Sequence, residues 1–230
     1  ITKLRKMGFI EIERIRKVNG VDAKVYRLKS ESFFFRFSEF KKGIKIAEKE
    51  HKLLSGFIKN RKLNALIIVG SPDPQGIRRI RSRDGYLGID LAIFLGSFTD
   101  GTATNKVRMD LTVTDEELKK NNLIVIGGPI VNRVSNLMIG KIPLYIDPKK
   151  RKIISKVSKR EHNGEKVGLI YIGESPFNKN KRVMYLAGLT YYGTRSAIVA
   201  FRKRLINIER GNRKNRKICL LYTSPSPRDR

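Results

Sequence analysis

Cysteine, histidine and tryptophan are nearly missing from this chain, at one, two and none in 230 residues. A single thiol, Cys219, closes no intrachain disulfide, and with only His51 and His162 beside it no Cys/His zinc centre can be built. His51 falls in a Lys/Glu-rich stretch expected to be helical and His162 in an expected loop, so no nucleophile–histidine–acid set of the hydrolase kind can be assembled. Neither a G-x-x-x-x-G-K-[ST] nor a G-x-G-x-x-G motif occurs, which leaves a P-loop ATPase and a dinucleotide enzyme without support. No metal, no cofactor and no enzymatic role are expected. No apolar run approaches the ~18 residues of a membrane-spanning helix, and no signal peptide is visible. No membrane partner and a cytoplasmic location are therefore expected. The reading opens at Ile1 in what looks like the middle of a helix, so the natural N-terminus is expected to lie further upstream.

Acidic residues are the other scarcity. Twenty-one Asp and Glu stand against fifty Lys and Arg, leaving a formal charge of +29 and an isoelectric point near 10.5. Such a balance favours polyanionic partners, with double-stranded DNA the first candidate. Lys-rich composition is also a feature of heat-adapted proteins and of A/T-rich genomes. At 40% hydrophobic the chain can bury a real core, which excludes wholesale disorder.

Residues 1–29 read as a helix end followed by a hairpin. Ile1, Leu4 and Met7 have helical spacing, and Gly8 stands where a C-terminal cap belongs. Residues 9–15 alternate like a half-buried strand, Asn19-Gly20 signals a turn, and residues 23–28 return. Helix, glycine, strand, basic turn and strand resemble the second half of a winged helix-turn-helix, as in the winged-helix transcription regulators. In that resemblance the helix ending near Met7 is the recognition helix and residues 16–24 are the wing. Lys3, Arg5, Lys6, Arg14, Arg16, Lys17, Lys24 and Arg27 would then contact DNA, mainly at phosphates.

Residues 30–62 read as a connector. Phe33, Phe34, Phe35, Phe37 and Phe40 crowd together as packing residues rather than base-stacking ones, and a helix-like stretch follows over 41–57. From residue 63 the texture changes. Apolar runs at 63–69, 123–126 and 182–187 each end in a glycine-rich loop, and each loop leads into a helical pattern, at 83–95, 130–138 and 195–204. Three such units predict an α/β domain over 63–204 with a Rossmann-like, largely parallel sheet. Residues 142–146, 153–157 and 167–172 read as short antiparallel strands at one edge. Residues 205–218 form a basic tail.

The three loops carry the candidate ligand residues: Gly70, Ser71, Asp73 and Asp84, then Gly127, Gly128, Pro129 and Asn132, then Gly193, Thr194 and Arg195. Parallel strands end along a common edge where helix N-termini favour an anion. One reading makes the three loops a single crevice for a small anion, with the Asn132 amide and the Arg195 guanidinium at its opening. The other makes the glycines tight turns only. Asp73 and Asp84 divide the same way. They are either acid, base or ribose ligands, or else Asp84 caps the next helix and Asp73 holds its own turn.

Gly70-Ser71-Pro72-Asp73-Pro74, Gly127-Gly128-Pro129-Ile130-Val131-Asn132, Ser175-Pro176-Phe177-Asn178 and the Gly-Thr-Arg-x-Ala run at 193–197 are together similar to the C-terminal region of archaeal S-layer-like proteins. The resemblance spans residues 60–203, and such a region also occurs behind winged-helix domains in regulators. S-layer membership implies a secreted, usually acidic lattice protein. Regulator membership implies DNA binding with a domain that senses a ligand or self-associates, and the regulator reading is the expectation carried forward. An S-layer-like structural protein is the alternative, and an enzyme on a nucleotide or sugar phosphate, using Asp73, Asp84, Asn132 and Arg195, is a further one. Finally, residues 219–229 resemble the translation of a transposase-based sequencing-library adapter. The 219–230 tail is expected to be non-native, without structure and outside any function.

Overall fold

The chain divides between Lys49 and Glu50 into two units. The computed structural model describes residues 1–6, 10–18, 20–28, 51–74, 81–100, 105–211 and 218–223. In the first unit a short helix, α1 (Thr2–Lys6), precedes a hairpin of β1 (Ile10–Val18) and β2 (Val21–Leu28). Val18 pairs with Val21 across the turn, where Gly20 takes a φ of 82°, a left-handed conformation that a residue without Cβ adopts readily. The expected wing is thus the tip of a continuous ladder. The helix-turn-helix itself is not seen among the described residues. Apart from α1, the described part of this unit is strand. The five phenylalanines and residues 41–50 of the helix expected over 41–57 lie outside the described residues, while its last part, 51–57, is a turn and not helix.

The second unit opens with a turn at residues 51–57 and a miniature hairpin of β3 (Ile58–Lys59) and β4 (Lys62–Leu63). Then come β5 (Leu66–Val69), α2 (Gly85–Gly96), β6 (Val107–Met109), α3 (Asp115–Lys120), β7 (Leu123–Ile126) and α4 (Arg133–Leu137). The chain continues as β8 (Leu144–Asp147), β9 (Lys152–Ser155), β10 (Arg160–His162), β11 (Val167–Ser175), β12 (Asn178–Gly188), α5 (Tyr191–Gly211) and β13 (Ile218–Thr223). Six strands form the main sheet in the order β13-β11-β12-β7-β5-β6. The run β12-β7-β5-β6 is parallel, while β11 is antiparallel to both β12 and β13. The expected α/β domain with a mostly parallel sheet is what the second unit is.

Both faces of this sheet are buried, and the side-chain period of two sorts its residues between them. Ile67, Ile124, Ile126, Ile170, Ile172, Met184 and Leu186 pack under α2 and α5, with Leu91, Leu95, Ala197 and Phe201. Leu66, Ile68, Leu123, Val125, Leu169, Tyr171, Val183 and Tyr185 pack on the other side, against Leu118 of α3, Val134 of α4, and Ile146 and Ile153 of β8 and β9. Continuous apolar strands are the sequence form of a sheet covered twice. Leu53, Leu54 and Phe57, read from sequence as part of a connector, belong to the first of these clusters.

Local chemistry sets the helix ends. Thr114 and Glu117 close a capping box at α3, with acids in the first turn and Lys119 and Lys120 in the last, matching the helix dipole at both ends. The expected helix at 130–138 shortens to α4 because Asn132 takes the cap position: its Oδ1 accepts from the N–H groups of Val134 and Ser135. The expected 195–204 helix instead starts at Tyr191, runs to Gly211 and is interrupted at Arg204.

Four further expectations change. Residues 144–162 make a separate three-stranded sheet, β8-β9-β10, whereas β11 joins the main sheet as an inner strand, since its Leu169/Tyr171 and Ile170/Ile172 faces both need cover. His162 lies in β10, not in a loop. His51 lies at the start of the 51–57 turn, its Nδ1 2.8 Å from Glu209 and its ring edge-on to Phe98. Residues 219–223, expected to carry no structure, pair with β11 as β13. The Ile218-Cys219-Leu220-Leu221-Tyr222-Thr223 run is apolar and rich in strand formers, and it satisfies the N–H and C=O groups that β11 would otherwise leave bare at a sheet edge.

Candidate functional site

The carboxyl ends of β5, β7 and β12 lie side by side, because those strands are parallel neighbours. The connection after β7 leaves toward the α4 face, while those after β5 and β12 leave toward α2 and α5. Chains that part in opposite directions open a crevice between strand ends, the usual place for a ligand in a sheet of this kind. All three predicted loops do meet at this edge. A Cβ on Gly70 would strike the Val131 carbonyl and come within 2.7 Å of Ser82 Oγ, and one on Gly128 would lie 2.9 Å from the Gly188 carbonyl oxygen. Gly127, at φ 99°, sits against Asp84, where a Cβ would lie 2.6 Å from Oδ2.

The predicted residues separate on closer inspection. A cleft of about 690 Å³ opens at this edge, and of the eleven candidates Asp84, Gly128 and Pro129 line it. Gly70 and Ser71 are buried and Asp73 is exposed, and none of the three lines the cleft. Ser71 N–H donates to Asp110 Oδ1 at 2.7 Å, Ser71 Oγ donates to Asp73 at 3.1 Å, and the Asp73 N–H donates back to Ser71 Oγ at 3.2 Å. Asn132 does not point to the opening. Its side chain is buried, caps α4, and donates through Nδ2 to the Ile126 carbonyl at 2.9 Å. Gly193 is pressed against the backbone at Gly188, Gly168 and Val167, so it holds α5 to the sheet. Arg195 is exposed, stands in the second turn of α5 rather than at its start, and does not line the cleft.

Asp84 is the chemically unusual group. It takes the cap position of α2, yet its side chain makes no capping bond. It lies instead beside Thr194, whose single hydroxyl hydrogen is within reach of Asp84 Oδ2 at 3.4 Å and of the Thr190 carbonyl at 3.3 Å. Burial in a poorly solvated site pushes its carboxyl up to about 6, with the Thr194 hydroxyl pulling weakly the other way. The Tyr185 phenol beneath is raised as well, first by its own burial and then by the Asp84 charge. At neutral pH Asp84 is thus a mostly ionised but costly carboxylate facing a cleft.

Residues outside the predicted set complete the wall. Arg81 and Arg83 are exposed, alternate with buried Ser82 and Asp84, and both line the cleft. Arg151 joins the lining from the β8–β9 turn, at a φ of 52°. The Arg81-Ser82-Arg83-Asp84 alternation was visible in sequence, but nothing in sequence joins it to Arg151, 67 or more residues away in the chain. Buried Asp110 was also missed. Its carboxylate takes the Ser71 N–H on one oxygen and the Arg133 N–H, at 2.6 Å, on the other, which clamps the loop after β5 to the loop after β7.

The predicted DNA contacts lie in the first unit. Residues directly paired across a ladder share a face. Arg14 and Arg16, opposite Val25 and Ala23, therefore stand on one face of the hairpin, and Lys17 and Lys24, opposite Asp22 and Ile15, on the other. Arg27 is held by Glu11, its Nε donating at 2.7 Å. Arg5 and Lys6 are exposed on α1, and Lys3 is part of the same helix.

Taken together, the second unit is a three-layer α/β domain with a cationic, partly apolar cleft at the ends of its parallel strands. Residues 98–205, running from just after α2 into α5, match the S-layer like family, outer domain, and that part of the chain is similar to it. The match covers just under half of the sequence and leaves out β5, all of α2 and the 81–84 wall of the cleft. No curated protein matches the chain.

Proposed function

We propose that the chain is an S-layer-like structural protein whose second unit packs against copies of itself. The observation behind this reading is the match of residues 98–205 to an S-layer outer domain, and it favours assembly over transcription regulation. Apolar side chains left in water on the second unit fit a domain that meets others: Tyr86, Ile89 and Ile93 stand out on α2 while Leu87, Leu91 and Leu95 of the same helix are buried. Light scattering and negative-stain microscopy of the purified chain over rising concentration test the reading. Growth into regular oligomers or sheets is the expected outcome. A monomer throughout, with no ordered array at any concentration, overturns it.

A second reading is favoured by the +29 charge and the exposed Arg14, Arg16, Lys17 and Lys24 of the hairpin: contact with double-stranded DNA at phosphates. Affinity for duplex should then fall steeply as salt rises, and further when Arg14 and Arg16 become alanine. A flat response between low and physiological salt removes it.

A further inference from the structure

The cleft holds charges that the fold does not use. Arg81, Arg83 and Arg151 make no ion pair among the described residues, although acidic partners are within the cleft's own walls at Asp84 and Glu165. Asp84 is 3% exposed and carries a carboxylate that costs stability when ionised. The Glu165 backbone is tied down, since the Thr190 hydroxyl donates to its carbonyl at 2.5 Å. Between the charges the lining is apolar, with Pro129, Ile146, Leu189 and the half-exposed ring of Tyr191.

Each of these features suits a different part of one ligand. Guanidinium groups present planar, multiple donors that match phosphate oxygens. Gly128 and Gly188 also line the cleft, where their missing side chains let the loops pack backbone against backbone. A carboxylate sunk beside them accepts hydroxyl hydrogens, as ribose diols require. Aliphatic walls with a tyrosine ring accept a flat, poorly hydrated heterocycle. A volume of about 690 Å³ falls in the range of small-molecule sites.

We propose that this cleft is a binding site for a nucleoside monophosphate, with Arg81, Arg83 and Arg151 on the phosphate, Asp84 on the ribose and the Ile146–Leu189–Tyr191 wall against the base. The site lies within one unit, and its argument does not rest on assembly. It also differs from the crevice expected from sequence, since Asn132 and Arg195 take no part and the cations come from the 81–83 segment and the β8–β9 turn.

Isothermal titration of the full chain with AMP, adenosine and inorganic phosphate, in enough salt to suppress diffuse attraction to the +29 surface, tests the proposal. AMP should saturate a single site, with adenosine and phosphate each at least about ten-fold weaker, because each lacks half of the contacts. Arg83→Ala should weaken AMP by about ten-fold. Arg151→Gly should do the same while suiting the left-handed backbone at that position, so lost binding cannot be put down to lost folding. Arg210→Ala, near the far end of α5 and exposed, should leave AMP binding unchanged. Three outcomes overturn the proposal. They are no saturable AMP binding, phosphate binding as tightly as AMP, and equal losses in the Arg83, Arg151 and Arg210 variants, which would report general attraction of an anion to a basic surface.

Discussion

The two units are made of similarly basic chain, yet among the described residues only one shows an interior. In the hairpin, no described residue is buried, and Ile15, Val18 and Val21 stand more than half exposed. In the α/β unit, Ile124, Ile126, Leu123 and Val125 show no exposure at all. An isolated two-stranded ladder is marginal in water, while a sheet covered on both faces removes several side chains from water per strand, each worth about 1.5–3 kcal/mol. Charge density does not distinguish the two regions. What differs is whether alternation leaves one apolar face or two.

Substitutions should expose that contrast, starting with the core. Phe201→Ala, under the sheet on α5, is expected to cost about 3–5 kcal/mol, whereas Ile15→Ala in the hairpin should cost under about 1. Urea unfolding followed by far-UV dichroism checks both, and equal shifts would mean the hairpin has a core of its own. Gly188→Ala comes next. Its Cβ would overlap the Gly193 backbone, so α5 must shift on the sheet, at about 3 kcal/mol. In the hairpin Gly20→Ala meets no neighbour within 4 Å and pays only for its φ of 82°, about 1 kcal/mol. Thermal melting of the pair separates crowding from backbone strain.

Asp84 sharpens the comparison through pH. Its carboxyl rises from 3.8 to about 6 on folding, so the fold binds that proton more tightly than the unfolded chain. The contribution to stability is therefore complete below about pH 4, is lost between about 4 and 6, and stays lost above, by about 3 kcal/mol at most. Asp84→Asn should match the parent at pH 4 and exceed it at pH 7.5 by up to that amount, less whatever the Thr194 hydroxyl supplied. The Glu117 carboxyl, held low first by the Thr114 N–H and then by Arg108, loses its contribution on acidification in both proteins and cancels from the difference. Urea midpoints for the two proteins at four pH values decide the matter; parallel curves would mean that Asp84 is solvated. The smallest effect belongs to the hairpin's own ion pair. Arg27→Ala removes an exposed contact to Glu11, and a change in melting too small to resolve is expected.

Much of the α/β unit was legible because its signals are local. Residues 66–69, 123–126 and 183–187 are apolar without interruption, and only a strand covered on both faces keeps so many apolar residues in a row. The 10–28 hairpin was legible for the same reason, through alternation and Asn19-Gly20. Capping was harder. Asn132 was read as facing a ligand because it follows Gly-Gly-Pro, but its amide satisfies the first N–H groups of α4, a nearer demand than any ligand. Arg195 was misplaced because α5 begins a full turn earlier, at Tyr191, on the strength of contacts that Gly193 makes with β11 and β12.

The sequence by itself determined that the chain is basic, that one part folds as a twice-covered parallel sheet, and that glycine loops follow its strands. Period, apolarity and turn chemistry act over a few residues and need no partner. Only the tertiary structure decided which loops share a space. Strand order sets Asp84 beside Gly127 and Thr194, Asp110 between two loops, and Arg151 in the lining of one cleft with Arg81 and Arg83. Those neighbours are separated by tens of residues, and what unites them is the energy of burying both faces of one sheet, which no local pattern records.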